Sequence, residues 1–108
     1  PKYNTYRADV HYQEVAKVLD LPCSTPEEGV ASLAKAVFEL GEKIGIEMSF
    51  KEQGIDEKEY MDNVTNIAYL AYEDQCTPCN PRLALVSHME EILKDAYFGY
   101  GKQPGKLK

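Results

Sequence analysis

Residues 25–45, TPEEGVASLAKAVFELGEKIG, carry the clearest helix pattern in this chain of 108 residues. Thr25 suits an N-cap, Pro26 suits the first helical position, and Glu28 completes a capping box. Apolar residues then recur every three or four positions, which is the spacing of one face of an α-helix. Gly45 ends the pattern. We therefore predict a helix whose buried stripe consists of Val30, Leu33, Val37, Leu40 and Ile44.

The same spacing predicts three further helices. The first lies near residues 7–20 and ends before Pro22, because proline disfavours a helical predecessor. Asp56 caps the third helix, and the last helix runs from about Leu83 to Phe98. The residues predicted to be buried are Tyr12, Val15, Ala16 and Leu19 in the first helix, Tyr60, Val64, Ile67, Ala68 and Ala71 in the third, and Val86, Met89, Leu93, Ala96 and Tyr97 in the last.

Two shorter segments separate these helices. A capping box at Ser49-Phe50-Lys51-Glu52 predicts a one-turn helix that ends at Gly54. Residues 73–82 have no periodicity and contain two prolines, so we predict a loop. No alternating strand pattern occurs. The predicted fold is all-α, with four main helices plus a one-turn helix over residues 1–101 and a flexible basic tail at residues 102–108.

Composition argues against several classes of function. The chain has 12 Lys and Arg against 18 Asp and Glu, and binding to nucleic acid needs clustered basic residues, so we expect no nucleic-acid partner. No apolar segment approaches the ~20 residues of a membrane span, and the first residues lack the apolar stretch of a signal peptide. Three cysteines make an odd count, which favours the reducing cytoplasm over a disulfide scaffold.

Cysteines and histidines are the first candidates for chemistry. Cys76 and Cys79 form a C-x-x-C motif, but a redox motif needs a thiol at a helix N-terminus, and the next predicted helix begins several residues later. A zinc site would need two more ligands, and Cys23, His11 and His88 contain no second short-spaced pair. We therefore interpret the two cysteines as loop thiols that do not act together, and the histidines as exposed or hydrogen-bonded residues.

Carboxylates and aromatic residues give no stronger signal. Glu90 and Glu91 are adjacent, and adjacent residues on a helix do not face each other, so we expect a solvated face. The eight tyrosines lack the interleaved basic residues of a nucleic-acid platform and suit core and rim positions. The sequence has no glycine-rich phosphate loop, nucleophile elbow or catalytic triad. Its motifs alone therefore predict no catalytic, cofactor-binding or metal residue.

One segment is distinctive beyond these local signals. Residues 72–82, YEDQCTPCNPR, are followed by EEILKDAYFG at residues 90–99. This segment closely resembles the C-terminal end of the iron-containing alcohol dehydrogenases, whose pattern is D-x-C-T-x-x-N-P-R and then a helix that ends in an aromatic pair and glycine. YQEVA at residues 12–16 and SFKEQGI at residues 49–55 are similar to the family's Y-x-E-I-A helix and S-x-x-E-x-G-[IV] turn. The bifunctional aldehyde–alcohol dehydrogenases are the nearest in resemblance.

The resemblance implies a role for one residue of this chain. Cys76 matches the cysteine of D-x-C-T, which in the family lies beside the substrate cavity. Its role would be to set the shape and polarity of the pocket wall. Cys79 stands where the family has a small residue. Asn80-Pro81-Arg82 matches as well, and we interpret it as a rigid turn whose Asn bonds local backbone and whose Arg ties the loop to a helix.

The resemblance also implies where the cofactors bind. The family's iron ligands, an aspartate and three histidines, and its NAD site would lie upstream of this chain. The chain would then be a C-terminal helical fragment of an enzyme that reduces acetyl-CoA to acetaldehyde and then to ethanol with NADH, and it would be inactive alone. Its partner would be the remainder of that enzyme. Self-association is expected from exposed packing surface, as in the filament-forming relatives.

The alternative function is a free-standing helical protein-interaction module. Such a module would need no parent enzyme and would bind its partner through an exposed face rich in tyrosine and methionine.

Overall fold

A computed structural model describes residues 3–99, with the side chains at positions 5–7 excepted. Its helices are α1 (Thr5–Val18), α2 (Pro26–Lys43), α3 (Glu57–Glu73) and α4 (Val86–Phe98), with a short 3-10 helix at Thr77–Cys79. No strand occurs between residues 3 and 99. The predicted all-α class is confirmed, and the predicted tail at residues 102–108 lies outside the described residues.

Side-chain caps begin two of the helices where the sequence predicted them. The Thr25 Oγ1 accepts a hydrogen bond from the Glu28 N–H at 3.1 Å before α2, and the Asp56 Oδ2 accepts one from the Glu59 N–H at 2.9 Å before α3. Each bond satisfies a backbone donor that the helix itself leaves free.

The start of α4 was predicted three residues too early. Leu85 has an extended backbone, with φ −89° and ψ 163°. Its N–H donates to the His88 Nδ1 at 3.2 Å. This bond joins the residue before the helix to a side chain in the first turn of the helix. The first helical residue is Val86 and not Leu83.

The predicted one-turn helix at Ser49 is a hydrogen-bonded turn instead of a helix. The Ser49 Oγ accepts from the Glu52 N–H at 3.1 Å, and the Glu52 Oε2 accepts from the Met48 N–H at 3.1 Å. One backbone bond of the α-helical type follows, from the Gln53 N–H to the Ser49 oxygen at 3.2 Å, and the Gly54 N–H then donates to the Lys51 oxygen at 3.0 Å. Gly54, with φ +82°, then turns the chain out of helical geometry.

The chain forms two compact units. The first unit comprises the residues up to Ile44 together with Asn80–Arg82, and the second comprises Gly45 to Cys79 together with the residues from Leu83 onward. In the first unit α1 packs against α2 at Gly29, where an added Cβ would stand 2.7 Å from the Gln13 Cα. The buried residues of this helix pair, side chains at positions 5–7 excepted, are Ala8, Ala16, Gly29, Val30, Leu33 and Gly41.

The predicted apolar stripe of α2 is buried only in its first half. Val30 and Leu33 are buried, whereas Val37, Leu40 and Ile44 are 55%, 59% and 62% exposed. A short connection joins α1 to α2, so the two helices run antiparallel. Gln13 of α1 is level with Gly29 of α2, and eight residues separate Gln13 from the start of α1 at Thr5. Because both helices rise by the same distance per residue, α1 runs alongside α2 only to about position 37. The predictions for Val15 and Leu19 of α1 were also wrong, since both are exposed.

Aromatic rings form the core of the second unit. Tyr60, Val64 and Tyr97 are buried together, and the ring centroids of Tyr60 and Tyr97 lie 5.0 Å apart. Phe50 adds a third ring, 5.2 Å from Tyr60. The burial predicted for Tyr60, Val64, Ala68 and Tyr97 is confirmed. Ile67, predicted to be buried, is 38% exposed.

No helix within residues 3–99 combines the length and the apolar character that crossing a bilayer requires.

Candidate functional site

The loop after α3 holds Cys76 by local hydrogen bonds. The Cys76 N–H donates to the Asp74 Oδ1 at 2.7 Å, which closes an Asx turn directly after the helix. The Thr77 N–H donates to the Asp74 backbone oxygen at 3.1 Å. The Thr77 Oγ1 donates to the backbone oxygen of Ala71, in the last turn of α3, at 2.5 Å. Cys76 is therefore an exposed residue on a backbone that is tied to the end of a helix.

The second cysteine of the motif closes a turn with the first. The Cys79 N–H donates to the Cys76 backbone oxygen at 3.1 Å, and the two residues bound the short 3-10 segment. Both side chains are exposed, and both thiols are free. The sequence showed that the two cysteines are three positions apart. It did not show that a single hydrogen-bonded turn contains both of them.

Asn80 and Arg82 belong to the first unit and hold the segment that precedes α1. The Asn80 Nδ2 donates to the Arg82 backbone oxygen at 2.6 Å and to the Asn4 Oδ1 at 2.9 Å. The Arg82 Nη1 donates to the Tyr3 backbone oxygen at 3.0 Å, and the guanidinium carbon lies 4.5 Å from the centre of the Tyr3 ring. The bond that we predicted from Asn80 to local backbone is therefore present, and Arg82 contacts the residue before Asn4.

The remaining candidates do not converge on a site. His11 is exposed and its Nδ1 lies 3.6 Å from the Glu14 Oε2, while His88 caps α4. Cys23 is half-buried. Within residues 3–99, no three His, Cys, Asp or Glu side chains come together as a possible metal site.

The buried tyrosines serve the core. The Tyr60 hydroxyl donates to the Leu93 backbone oxygen at 2.7 Å, and the Tyr97 hydroxyl donates to the Ile55 backbone oxygen at 2.9 Å. Burial raises the pKa of Tyr60. Burial also raises the pKa of Tyr97, and the nearby carboxylates of Glu57 and Asp56 raise it further. Both hydroxyls therefore remain neutral donors at ordinary pH.

One protein family matches nearly the whole of this chain. The C-terminal part of the Fe-containing alcohol dehydrogenase family matches residues 1–97 of this chain. The chain therefore belongs to the iron-containing alcohol dehydrogenases, which confirms the resemblance inferred from the loop and the last helix.

Individual relatives show how much of the protein this chain represents. The aldehyde-alcohol dehydrogenase of Streptococcus pneumoniae is 63% identical over 108 residues, which are all of this chain and 12% of that protein. Aldehyde-alcohol dehydrogenase 2 of Entamoeba histolytica is 49% identical over 98 residues, 91% of this chain and 11% of that protein. An NADPH-dependent butanol dehydrogenase of Clostridium saccharobutylicum is 37% identical over 98 residues, 91% of this chain and 25% of that protein.

The family name implies iron. Iron sites in proteins need several converging His, Cys or carboxylate ligands. Between residues 3 and 99 no such set comes together.

Proposed function

We propose that this chain is the C-terminal helical part of an aldehyde–alcohol dehydrogenase whose full chain reduces acetyl-CoA to acetaldehyde and then to ethanol with NADH. The observation that carries the proposal is the 63% identity over the whole chain to the streptococcal enzyme of that name. Identities of 63% and 49% to two aldehyde-alcohol dehydrogenases support a bifunctional parent. The parent enzyme works in the cytoplasm, and its NAD and iron are bound by residues upstream of this chain.

Exposed apolar surface on α2 supports the proposal of a larger parent. Val37, Leu40 and Ile44 continue the stripe that Val30 and Leu33 begin, yet more than half of each is exposed. Fully burying one such side chain contributes about 1.5–3 kcal/mol. Upstream segments of the parent would cover this half of the stripe, and in their absence the fragment would self-associate through it.

In this proposal Cys76 forms part of the wall of the alcohol dehydrogenase substrate pocket. Its side chain is exposed. The 2.7 Å hydrogen bond from its N–H to the Asp74 Oδ1 holds its backbone in place. A small thiol there would leave room for a short aldehyde. The residue would shape the pocket and would not take part in proton or hydride transfer.

Binding measurements on the isolated chain test whether the NAD and iron sites of the parent enzyme lie outside this chain. We expect a titration of the 108-residue chain with NADH to show no change in nucleotide fluorescence, and we expect elemental analysis to find no iron. Binding of NADH at micromolar concentration, or one iron per chain, would contradict the proposal.

A pair of substitutions in the parent enzyme tests the pocket wall. Cys76→Trp should impair acetaldehyde reduction by crowding the pocket, while the acetyl-CoA step continues. Gln75→Trp is the matched control, because Gln75 precedes Cys76 in the same loop and is also exposed. Unchanged acetaldehyde kinetics in Cys76→Trp, or an equal loss in both variants, would remove Cys76 from the pocket.

The coding sequence separates this function from the free-standing interaction module. We expect the reading frame to continue upstream of Pro1 into a nucleotide-binding domain. A start codon immediately before Pro1 would instead support the interaction module.

A further inference from the structure

The two cysteines of the C-x-x-C motif share one tight turn. The Cys79 N–H donates to the Cys76 oxygen at 3.1 Å, which is the i→i+3 bond of a 3-10 turn. With three residues in each turn, side chains three positions apart are eclipsed. The turn therefore brings the backbones of the two cysteines together, and both side chains are exposed.

The turn also brings the two residues within the range of a disulfide bond. A turn closed by this hydrogen bond keeps the Cα atoms of its first and fourth residues within about 7 Å. Protein disulfides join Cα atoms about 4.4–6.8 Å apart. The backbone separation set by the turn is therefore compatible with a bond between Cys76 and Cys79.

We propose that Cys76 and Cys79 act together as a dithiol that reduces small-molecule disulfides and becomes an intraloop disulfide. This proposal replaces our interpretation of the pair as two independent loop thiols. It rests on the turn alone and does not depend on the proposed function.

The reaction consists of two thiol–disulfide exchanges. The thiolate of one cysteine attacks a sulfur of glutathione disulfide, the sulfur–sulfur bond of glutathione breaks, and a mixed disulfide forms. The first glutathione leaves as a thiolate and takes up a proton. The second cysteine then attacks the protein sulfur of the mixed disulfide, and the second glutathione leaves in the same way. The dithiol loses two electrons and two protons, and glutathione disulfide gains them.

The chain contains its own control cysteine. Cys23 is half-buried and belongs to the first unit, whereas the dithiol belongs to the second. A Cys23→Ser variant therefore removes one thiol without touching the turn.

Mass spectrometry of the 108-residue chain after incubation with glutathione disulfide tests the pair. We expect a chain whose mass falls by two hydrogens, and a peptide that links Cys76 to Cys79. Cys76→Ser and Cys79→Ser should each stop at the mixed disulfide and gain one glutathione on the remaining loop cysteine, while Cys23→Ser should behave as the parent chain does. An oxidised chain that carries glutathione on both loop cysteines, or an internal bond to Cys23, would overturn the proposal.

A comparison of the folded and unfolded chains tests the contribution of the turn. The equilibrium constant for forming the internal disulfide should be on the order of tenfold larger in buffer than in urea, because the turn holds the thiols together. The Cys23→Ser variant is used in both measurements, so that only the loop pair reacts. Equal constants in buffer and urea would overturn the proposal that the folded turn makes the pair a unit.

Discussion

The backbone of Gln13 lies directly against Gly29, so that an added Cβ at position 29 would stand 2.7 Å from the Gln13 Cα. The side chain of Gln13 then passes over the connection between the helices, and its Nε2 donates to the Cys23 backbone oxygen at 2.8 Å. Glycine at position 29 is therefore a packing requirement of the α1–α2 pair, although a glycine within a helix costs up to ~1 kcal/mol in propensity.

Gly29→Ala should consequently destabilise the chain despite the better helix propensity of alanine. The new methyl group meets backbone and not the end of a flexible side chain, so the two helices must separate. We expect a net loss of about 1–3 kcal/mol in the free energy of unfolding, measured by urea denaturation. Ala31→Gly, at an exposed position of the same helix, is the control and should cost about 1 kcal/mol through propensity alone. A higher urea midpoint for Gly29→Ala would show that the close contact is absent.

Tyr60→Phe should remove one buried hydrogen bond and leave the aromatic packing in place. The lost bond is the one from the Tyr60 hydroxyl to the Leu93 oxygen, at 2.7 Å. We expect a cost of about 1 kcal/mol in thermal or urea unfolding. Tyr69→Phe on the same helix is the matched control, because Tyr69 is exposed, and it should change stability by less than about 0.5 kcal/mol. Equal effects of the two substitutions would contradict the role assigned to the bond.

Stability should fall at alkaline pH because the buried tyrosines resist ionisation. Burial raises the pKa of Tyr60 and of Tyr97 above the ordinary tyrosine value of 10.0. A raised pKa means that the folded state holds these protons more tightly than the unfolded state does. The contribution is complete below pH 10, the unfolded value, and is lost as the pH rises through the folded pKa values.

Urea denaturation at a series of pH values above 10, with ultraviolet absorption of the phenolates, measures this loss. A variant with both Tyr60→Phe and Tyr97→Phe is the control, since lysines also titrate in this range. Its stability should decline less steeply with pH than that of the parent chain. Identical slopes would mean that the two tyrosines do not cause the loss.

Asn80→Asp should destabilise the chain more than Asn80→Ala does. The Asn80 Nδ2 donates to two oxygens, and a carboxylate would place a third acceptor against them. We expect about 1–2 kcal/mol for the alanine variant and a larger loss for the aspartate variant in urea denaturation. Asn63→Asp is the control, because the Asn63 amide donates to a single carbonyl at an exposed position of α3. If Asn80→Asp proves as mild as Asn63→Asp, the Asn80 network does not hold the segment before α1.

Local signals were sufficient to predict the helices but not the extent of their burial. The caps at Thr25 and Asp56 act within one turn of the backbone, so their residue types alone indicate where α2 and α3 begin. His88 carries no comparable cap signal. Its bond to Leu85, and with it the late start of α4, was therefore missed.

The candidate site was predicted in part. The D-x-C-T-x-x-N-P-R pattern led to Cys76 and to the family, which the match over residues 1–97 confirms. The placement of Cys76 beside the substrate remains a prediction. The joint turn of Cys76 and Cys79 was not predicted, because spacing does not distinguish a 3-10 turn from an open loop.

The amino-acid sequence by itself determined the all-α class, the number and approximate positions of the four helices and the family of the chain, because caps, periodicity and a family pattern are properties of neighbouring residues. Only the tertiary structure decided which half of the α2 stripe is covered, why position 29 requires glycine, and which backbone oxygens accept from the Tyr60 and Tyr97 hydroxyls. These properties depend on the position and length of the helix that packs against each residue. Residues distant in the chain determine that position and length.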